Sequence, residues 1–81
     1  MDNEYYISSD LGLSTTLSLF TKIEKIDKAN PRKVRFFFKK DKKLDEIVNK
    51  YWNKKLRVDP LAYYMQIRSM KNMIYEQSNQ A

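Results

Sequence analysis

The sequence has no cysteine and no histidine, and its 81 residues include one glycine and two prolines. Without cysteine the chain has no disulfide framework, no thiolate ligand for zinc and no cysteine nucleophile. Without histidine it lacks the commonest general base and the commonest metal ligand. One glycine cannot form a glycine-rich phosphate loop. These absences predict that the protein is not an enzyme and that it has no catalytic residues, metal site or cofactor.

The acidic residues do not form the pattern of a catalytic site either. Asp45 and Glu46 are neighbours on a predicted helix, so their side chains diverge. Glu24 and Asp27 lie among lysines, where ion pairing explains them. The prediction of a non-enzymatic protein therefore does not depend on the missing residue types alone.

Long apolar runs are also missing. No segment reaches the roughly 18 apolar residues that a transmembrane helix needs. The first residues are acidic and polar, the opposite of the basic start and apolar middle of a signal peptide. The lack of cysteine fits a reducing compartment. We therefore expect a cytoplasmic protein without a membrane partner.

The sequence does contain an uneven excess of positive charge. Between Lys22 and Arg57 there are 14 basic and five acidic residues, a net charge of +9, whereas the remainder of the chain has a net charge of −3. Such a segment predicts an anionic partner, either nucleic acid or an anionic protein surface. The alternative is a lysine-rich surface that only keeps a small protein soluble.

Length and periodicity predict one small α+β domain. The chain is long enough for a single domain, with an ordered core over about 4–76 and a frayed tail over 77–81. The residue pattern predicts strands at 4–7, 22–27 and 33–39 and helices at 10–19, 42–53 and 60–76. This β-α-β-β-α-α order favours a three-stranded, mainly antiparallel sheet with the helices packed on one face and the other face open.

Local signals also predict how the helices begin. Asp41 and Asp59 are the predicted N-caps of the second and third helices. Ser8 and Ser9 are predicted to cap the first helix, with Asp10 in its first turn, where the helix dipole favours an anion.

Apolar spacing predicts which residues face the core. Each helix has a stripe at helical intervals. The stripes consist of Leu13, Leu17 and Phe20; of Leu44, Ile47, Val48 and Tyr51; and of Tyr63, Ile67, Met70 and Ile74, with Tyr64 and Tyr75 beside them. In the second strand, Ile23 and Ile26 do not keep a period of two, which predicts a bulge or a twist.

The third predicted strand has one apolar and one cationic face. The apolar face is formed by Val34, Phe36 and Phe38, and the other by Lys33, Arg35, Phe37 and Lys39. Basic groups bind phosphates, and an aromatic ring on a sheet can stack a base. The candidate nucleic-acid site is therefore Lys33, Arg35, Phe37, Lys39, Lys40, Lys42 and Lys43. The alternatives are a solvated sheet face with one apolar residue and a charged loop.

A second candidate surface lies after the second helix. The candidate partner-binding residues are Trp52, Lys54, Lys55 and Arg57. A tryptophan beside cations can be a contact hot spot, but we expect Trp52 to pack in the seam between two helices. Met65 and Met73 lie off the main stripe of the last helix, and their exposure would mark a homodimer or partner surface there.

Several short motifs carry a resemblance to a known family. They are Ser9-Asp10-Leu11 with Leu13, Val34-Arg35-Phe36-Phe37-Phe38, Leu44 with Tyr51-Trp52, Val58-Asp59-Pro60, and Met70-Lys71 with Ile74-Tyr75. In this order and spacing they resemble a small domain family of unknown function found in bacterial and in phage or prophage genomes. The resemblance covers about Tyr5 to Tyr75. It implies a mobile-element setting and a non-enzymatic role, and it supplies no catalytic residues.

The leading hypothesis is a small basic accessory protein that binds nucleic acid through lysine and arginine contacts to phosphate. One alternative is a protein–protein inhibitor of a host defence system, of the anti-CRISPR kind. Another is a homodimeric interaction module joined through the last helix.

Overall fold

A computed structural model describes residues 4–76 and contains three strands and three helices. In chain order they are β1 (Tyr5–Ser8), α1 (Leu11–Ser18), β2 (Ile23–Asp27), β3 (Arg35–Lys39), α2 (Lys42–Trp52) and α3 (Pro60–Glu76). The β-α-β-β-α-α order and the α+β fold confirm the prediction. The predicted frayed tail, 77–81, lies outside the described residues.

The three strands form one antiparallel sheet in the order β1-β3-β2. Because β3 is the central strand, its inward side chains have neighbours on both sides, and Phe36 and Phe38 are fully buried. The core lies between this face of the sheet and the three helices, all of which contribute buried side chains to it. Among the described helices, none combines the length and the apolar character needed to cross a membrane.

Of the two irregularities predicted for β2, a bulge or a twist, the structure shows a bulge. The register against β3 shifts between Ile23 and Lys25, so Glu24 is the extra residue. The shift brings Ile23 and Ile26 to the same side of the sheet, and both pack against the core. Lys25 consequently points to the solvent side.

Helix α1 is buried on nearly all sides, and its hydroxyl residues make this possible. Ser14, Thr15 and Thr16 are buried together with the predicted core leucines. The hydroxyl of Thr15 donates to the carbonyl oxygen of Leu11 at 2.7 Å, and that of Thr16 to the carbonyl oxygen of Gly12 at 2.9 Å. Hydroxyls that bond within their own helix can be buried without leaving an unpaired donor. Neighbouring elements therefore surround this helix.

Two expectations for α1 are wrong. Phe20 is exposed because the helix ends at Ser18, so the residue does not continue the buried stripe. The N-cap is Asp10 rather than Ser8 or Ser9, since its carboxylate accepts from the backbone N–H of Leu13 at 2.9 Å. Ser8 is the last residue of β1, and its hydroxyl accepts from Ser14 instead.

The single glycine lies at a close approach between helices. A Cβ atom at Gly12 would be 2.9 Å from the hydroxyl oxygen of Tyr51 and 3.6 Å from that of Tyr63. Burial, followed by the nearby Asp10 and Tyr63, raises the pKa of the Tyr51 hydroxyl. The Tyr51 hydroxyl therefore stays protonated beside the start of α1. Gly12 leaves space for it because glycine has no Cβ atom.

The predicted N-caps of α2 and α3 are confirmed. The carboxylate of Asp41 accepts from the backbone N–H of Leu44, and that of Asp59 from the backbone N–H of Ala62, each at 2.8 Å. These bonds satisfy N–H groups that have no partner within the first helical turn.

Helix α3 buries a narrower stripe than its sequence predicts. Met70 is fully buried, whereas Tyr64, Tyr75 and Met65 are exposed. The reason is that α3 packs mainly against α1. Tyr64 and Tyr75 were expected beside the buried stripe, and that expectation is wrong.

The end of α2 allows a stability prediction. The backbone N–H of Lys55 donates to the carbonyl oxygen of Lys50, and that of Lys54 to the carbonyl oxygen of Tyr51, the pattern of a Schellman cap. Lys54 has the left-handed φ of 61° that this cap requires and that glycine adopts without strain.

We expect Lys54→Gly to stabilise the fold by about 0.5–1 kcal/mol, because it removes the cost of a left-handed lysine. Urea unfolding followed by circular dichroism measures this change. Lys55→Gly is the matched control, since it removes the same charge from the next position and is expected to give no stabilisation. An equal gain in both variants would contradict the explanation.

Candidate nucleic-acid interface

The sheet face that points away from the helices, which we call the outer face, collects side chains from all three strands. Arg35, Phe37 and Lys39 come from β3. The register places Tyr5 of β1 opposite Lys39 and Ile7 opposite Phe37. Tyr5 is 48% exposed and Ile7 is 45% exposed.

Strand β2 completes the outer face on the other side. Lys25 lies opposite Phe37, and Asp27 lies opposite Arg35. We use the term outer-face site for the exposed and half-buried residues that surround and include Phe37 and can contact a ligand. They are Tyr5, Ile7, Lys25, Arg35, Phe37 and Lys39.

The ring of Phe37 is the centre of this site. The Tyr5 ring meets it edge to face, with the ring centroids 5.9 Å apart and an angle of 74° between the planes. The ammonium nitrogen of Lys25 lies 5.2 Å from the Phe37 centroid, and the guanidinium carbon of Arg35 lies 5.7 Å from it. Both distances are within the range of a cation–π interaction. Aromatic surface and positive charge are therefore concentrated at one place.

One carboxylate, that of Asp27, offsets part of the positive charge of this site. Asp27 forms an ion pair with Arg35. The backbone N–H of Ala29, which donates to Asp27 at 2.9 Å, lowers the pKa of that carboxyl, and the Arg35 guanidinium lowers the pKa further. Asp27 is therefore ionised at neutral pH and offsets one of the positive charges.

The structure gathers some, but not all, of the predicted nucleic-acid-binding residues. Arg35, Phe37 and Lys39 are together on the outer face, as predicted. Lys33 is not in the strand, because β3 begins at Arg35. The backbone N–H of Lys33 donates to the carbonyl oxygen of Asn30 in the preceding turn. The prediction that the strand begins at residue 33 is wrong by two residues.

The remaining predicted lysines follow β3 directly. Lys40 pairs with Asp45 at 3.1 Å, and Lys42 and Lys43 are exposed in the first turn of α2. They extend the positive charge beyond Lys39 along the chain. In residues 4–76, no three acidic side chains come together in a way that could hold a metal ion.

The candidate partner-binding residues lie at the junction of α2 and α3. Trp52 is 57% exposed, and its ring contacts Tyr51 edge to face at 5.0 Å. The expectation that Trp52 packs in a helix seam is wrong, because the buried stripe of α2 passes through Leu44 and Ile47 and leaves the last residue of the helix outside. The exposed cations of the link between the helices are Lys54, Lys55 and Arg57.

The predicted binding set leaves out three members of the outer-face site, which are Lys25 of β2 and two residues of β1, Tyr5 and Ile7. Their alternation in β1 is visible in the sequence, with Tyr6 between them. What the sequence does not show is that β1 lies beside β3. Without this pairing the outer face has one aromatic residue, and with it there are two in contact.

Comparison with known proteins supplies a family but no function. No curated protein and no solved structure matches the chain. A family model described as a domain of unknown function, DUF5659, matches residues 2–76. This match includes every strand and helix of the fold and the whole outer-face site. The chain is a member of the DUF5659 family.

Proposed function

We propose that this chain is a small non-enzymatic protein that binds nucleic acid on the outer face of its sheet. The observation that carries the proposal is the outer-face site itself, in which two aromatic rings are in contact, Lys25 and Arg35 lie against one of them, and Lys39 is opposite the other across the strands. Aromatic residues on an open antiparallel sheet, together with basic groups, are the means by which several unrelated folds bind nucleic acids.

The charge of the molecule supports the same conclusion. The chain has a net charge of +6, and most of its basic residues lie in the segment that contains β2, β3 and the start of α2. Lys25 and Lys39 point to solvent beside the rings, where they are free to contact phosphates, and Arg35 can contact one by exchanging Asp27 for it. The neighbouring lysines of the β3–α2 turn would attract a polyanion to this side.

The test is a titration of labelled oligonucleotides by fluorescence anisotropy at several salt concentrations. Three phosphate contacts predict a loss of affinity of about 20-fold for a single strand, or about 40-fold for a duplex, between roughly 50 and 200 mM salt. An absence of binding to every oligonucleotide at the lower concentration would refute the proposed function.

Asp27 offers a way to increase affinity. Asp27→Asn removes the charge that holds Arg35 and leaves this guanidinium available to a phosphate. Because Arg35 no longer has to exchange a carboxylate for the phosphate, the affinity is expected to rise by up to about fivefold near 100 mM salt. Glu46→Gln on α2 is the matched control, because it changes the net charge equally but lies on a helix. Equal gains in the two variants would show that net charge, rather than Arg35, is responsible.

A second candidate function is self-association through α3. Leu61, Tyr64 and Met65 are exposed on this helix at the spacing i, i+3 and i+4, so they form one apolar stripe. An exposed apolar stripe on a helix is a surface through which two copies of a chain can pack. Light scattering at concentrations well above the micromolar range is the measurement, and a monomer at every concentration would reject self-association.

A further inference from the structure

We infer that the outer-face site prefers single-stranded nucleic acid, RNA or DNA, over a duplex. In this inference, which rests on the proposed function, Tyr5 and Phe37 stack on bases while Lys25, Arg35 and Lys39 contact the adjacent phosphates. The observation that carries it is that the aromatic pair is at the centre of the site and the cations are around it.

The position of Tyr5 is the first step of the argument. Tyr5 lies on an edge strand, because β1 pairs with β3 alone. Its side chain is about half exposed although it touches Phe37. A ring at the edge of an open face, held by a contact with a second ring, presents aromatic surface to solvent in a defined orientation. Such a ring can receive a flat ligand without rearrangement of the strand.

The charges around Phe37 are the second step. Lys25 and Arg35 interact with the Phe37 ring in the free protein. A base that stacks on this ring would take the place of the cations, and a nucleotide brings its own phosphates within reach of the displaced groups. The same side chains that cover the ring can thus neutralise the backbone of the ligand. Charge complementarity and stacking then act on the same nucleotide.

The difference between the two ligand forms is the third step. In a duplex each base is stacked against other bases and paired, so its flat face is not available to a protein ring. A duplex is therefore limited to phosphate contacts at this site. A single strand gains the same contacts and stacking in addition. Base–aromatic stacking is expected to make single-strand binding at least about 10-fold tighter than duplex binding.

The experiment compares single-stranded RNA, single-stranded DNA and the corresponding duplexes, each of about 12 nucleotides and mixed sequence, by anisotropy. The stacking variant is Tyr5→Leu with Phe37→Leu, which keeps apolar volume on the sheet and removes both aromatic rings. We expect its single-strand affinity to fall about 10-fold, towards that of the duplex, while duplex affinity and salt dependence stay unchanged. The RNA and DNA arms show whether the sugar matters.

The controls separate the inference from the proposed function. Tyr75→Leu removes an exposed ring of α3 and is expected to change neither affinity. If the double variant does not fold, Tyr5→Leu alone, at an edge position, makes the same test. Equal binding of single strand and duplex, or an equal loss of both in the variant, would overturn the single-strand preference and leave the proposed function intact. If neither single strands nor duplexes bind at low salt, the proposed function itself is refuted.

Discussion

Phe38→Ala is expected to leave the protein largely unfolded at 37 °C. The side chain of Phe38 is 0% exposed and belongs to the central strand of the sheet. Removing a buried phenylalanine ring costs about 3–5 kcal/mol, because transfer energy is lost and a cavity remains. A domain of this size has a total stability on the order of 5 kcal/mol. One substitution therefore removes most of the free energy of folding.

The surroundings of Phe38 explain why the loss should lie at the upper end of this range. Across the sheet it is opposite Tyr6 on one side and Ile23 on the other, both of which pack against the core. Within the part of the chain that the structure describes, the buried core consists of seven hydrophobic residues, contributed by β3 and the three helices. With so few core residues, neighbouring side chains have little freedom to fill the space that a missing ring leaves.

Thermal and urea unfolding followed by circular dichroism measure the effect. The matched control is Lys39→Ala, the next residue of the same strand, whose side chain lies on the outer face. A surface substitution of this kind is expected to change stability by less than about 0.5 kcal/mol. A loss of under about 1.5 kcal/mol in Phe38→Ala would show that the sheet does not depend on this ring in the way its burial indicates.

The parts of the fold that the sequence predicts are those set by local chemistry. The caps at Asp41 and Asp59 depend on a side chain and a backbone N–H three residues later, and both are found. The bulge follows from the spacing of Ile23 and Ile26 along one strand. Asp10 is instructive because two serines precede it, and one of them is taken by β1. Since α1 begins at Leu11, the N-cap position one residue earlier falls on Asp10 and on neither serine.

The wrong expectations concern contacts between elements that are distant in the chain. Phe20 and Trp52 are both at the ends of helices, where apolar periodicity predicts burial that no neighbouring element supplies. Tyr64 is exposed because α3 packs mainly against α1. The exposure of each of these side chains depends on where a second element lies. Apolar periodicity within one helix does not show the position of its neighbours.

The outer-face site likewise contains residues that local sequence patterns predict and residues that only the fold brings in. Arg35, Phe37 and Lys39 are predictable, because alternation within β3 separates them from the buried phenylalanines. Tyr5 and Ile7 join them through the pairing of β1 with β3, which brings Tyr5 opposite Lys39 and Ile7 opposite Phe37, each at least 30 positions away in the chain. A sequence-based account finds the charge of this surface but counts half of its aromatic residues. Base stacking depends on the number of aromatic rings at the site. A preference for one form of nucleic acid can therefore be argued only once the fold shows both rings.

The double charge reversal Lys25→Glu with Lys39→Glu is expected to weaken nucleic-acid binding about 100-fold near 100 mM salt. Each lysine lost as a phosphate contact costs about fivefold under these conditions, and each new carboxylate adds repulsion of the phosphate. Both side chains lie on the outer face beside Phe37, Lys25 across from it on β2 and Lys39 further along β3. Neither belongs to the core, so the fold should survive the change.

The matched control is the double variant Lys50→Glu with Lys71→Glu. These residues lie on α2 and α3, and the substitutions change the net charge equally. Net charge acts over the whole molecule and is screened beyond about 10 Å at this salt concentration, so the helix variant is expected to lose no more than about fivefold. The slope of affinity against salt should become shallower only in the outer-face variant, since only there are phosphate contacts removed. Equal losses and equal slopes in the two variants would mean that the protein attracts nucleic acid through its overall charge and has no binding site on the sheet.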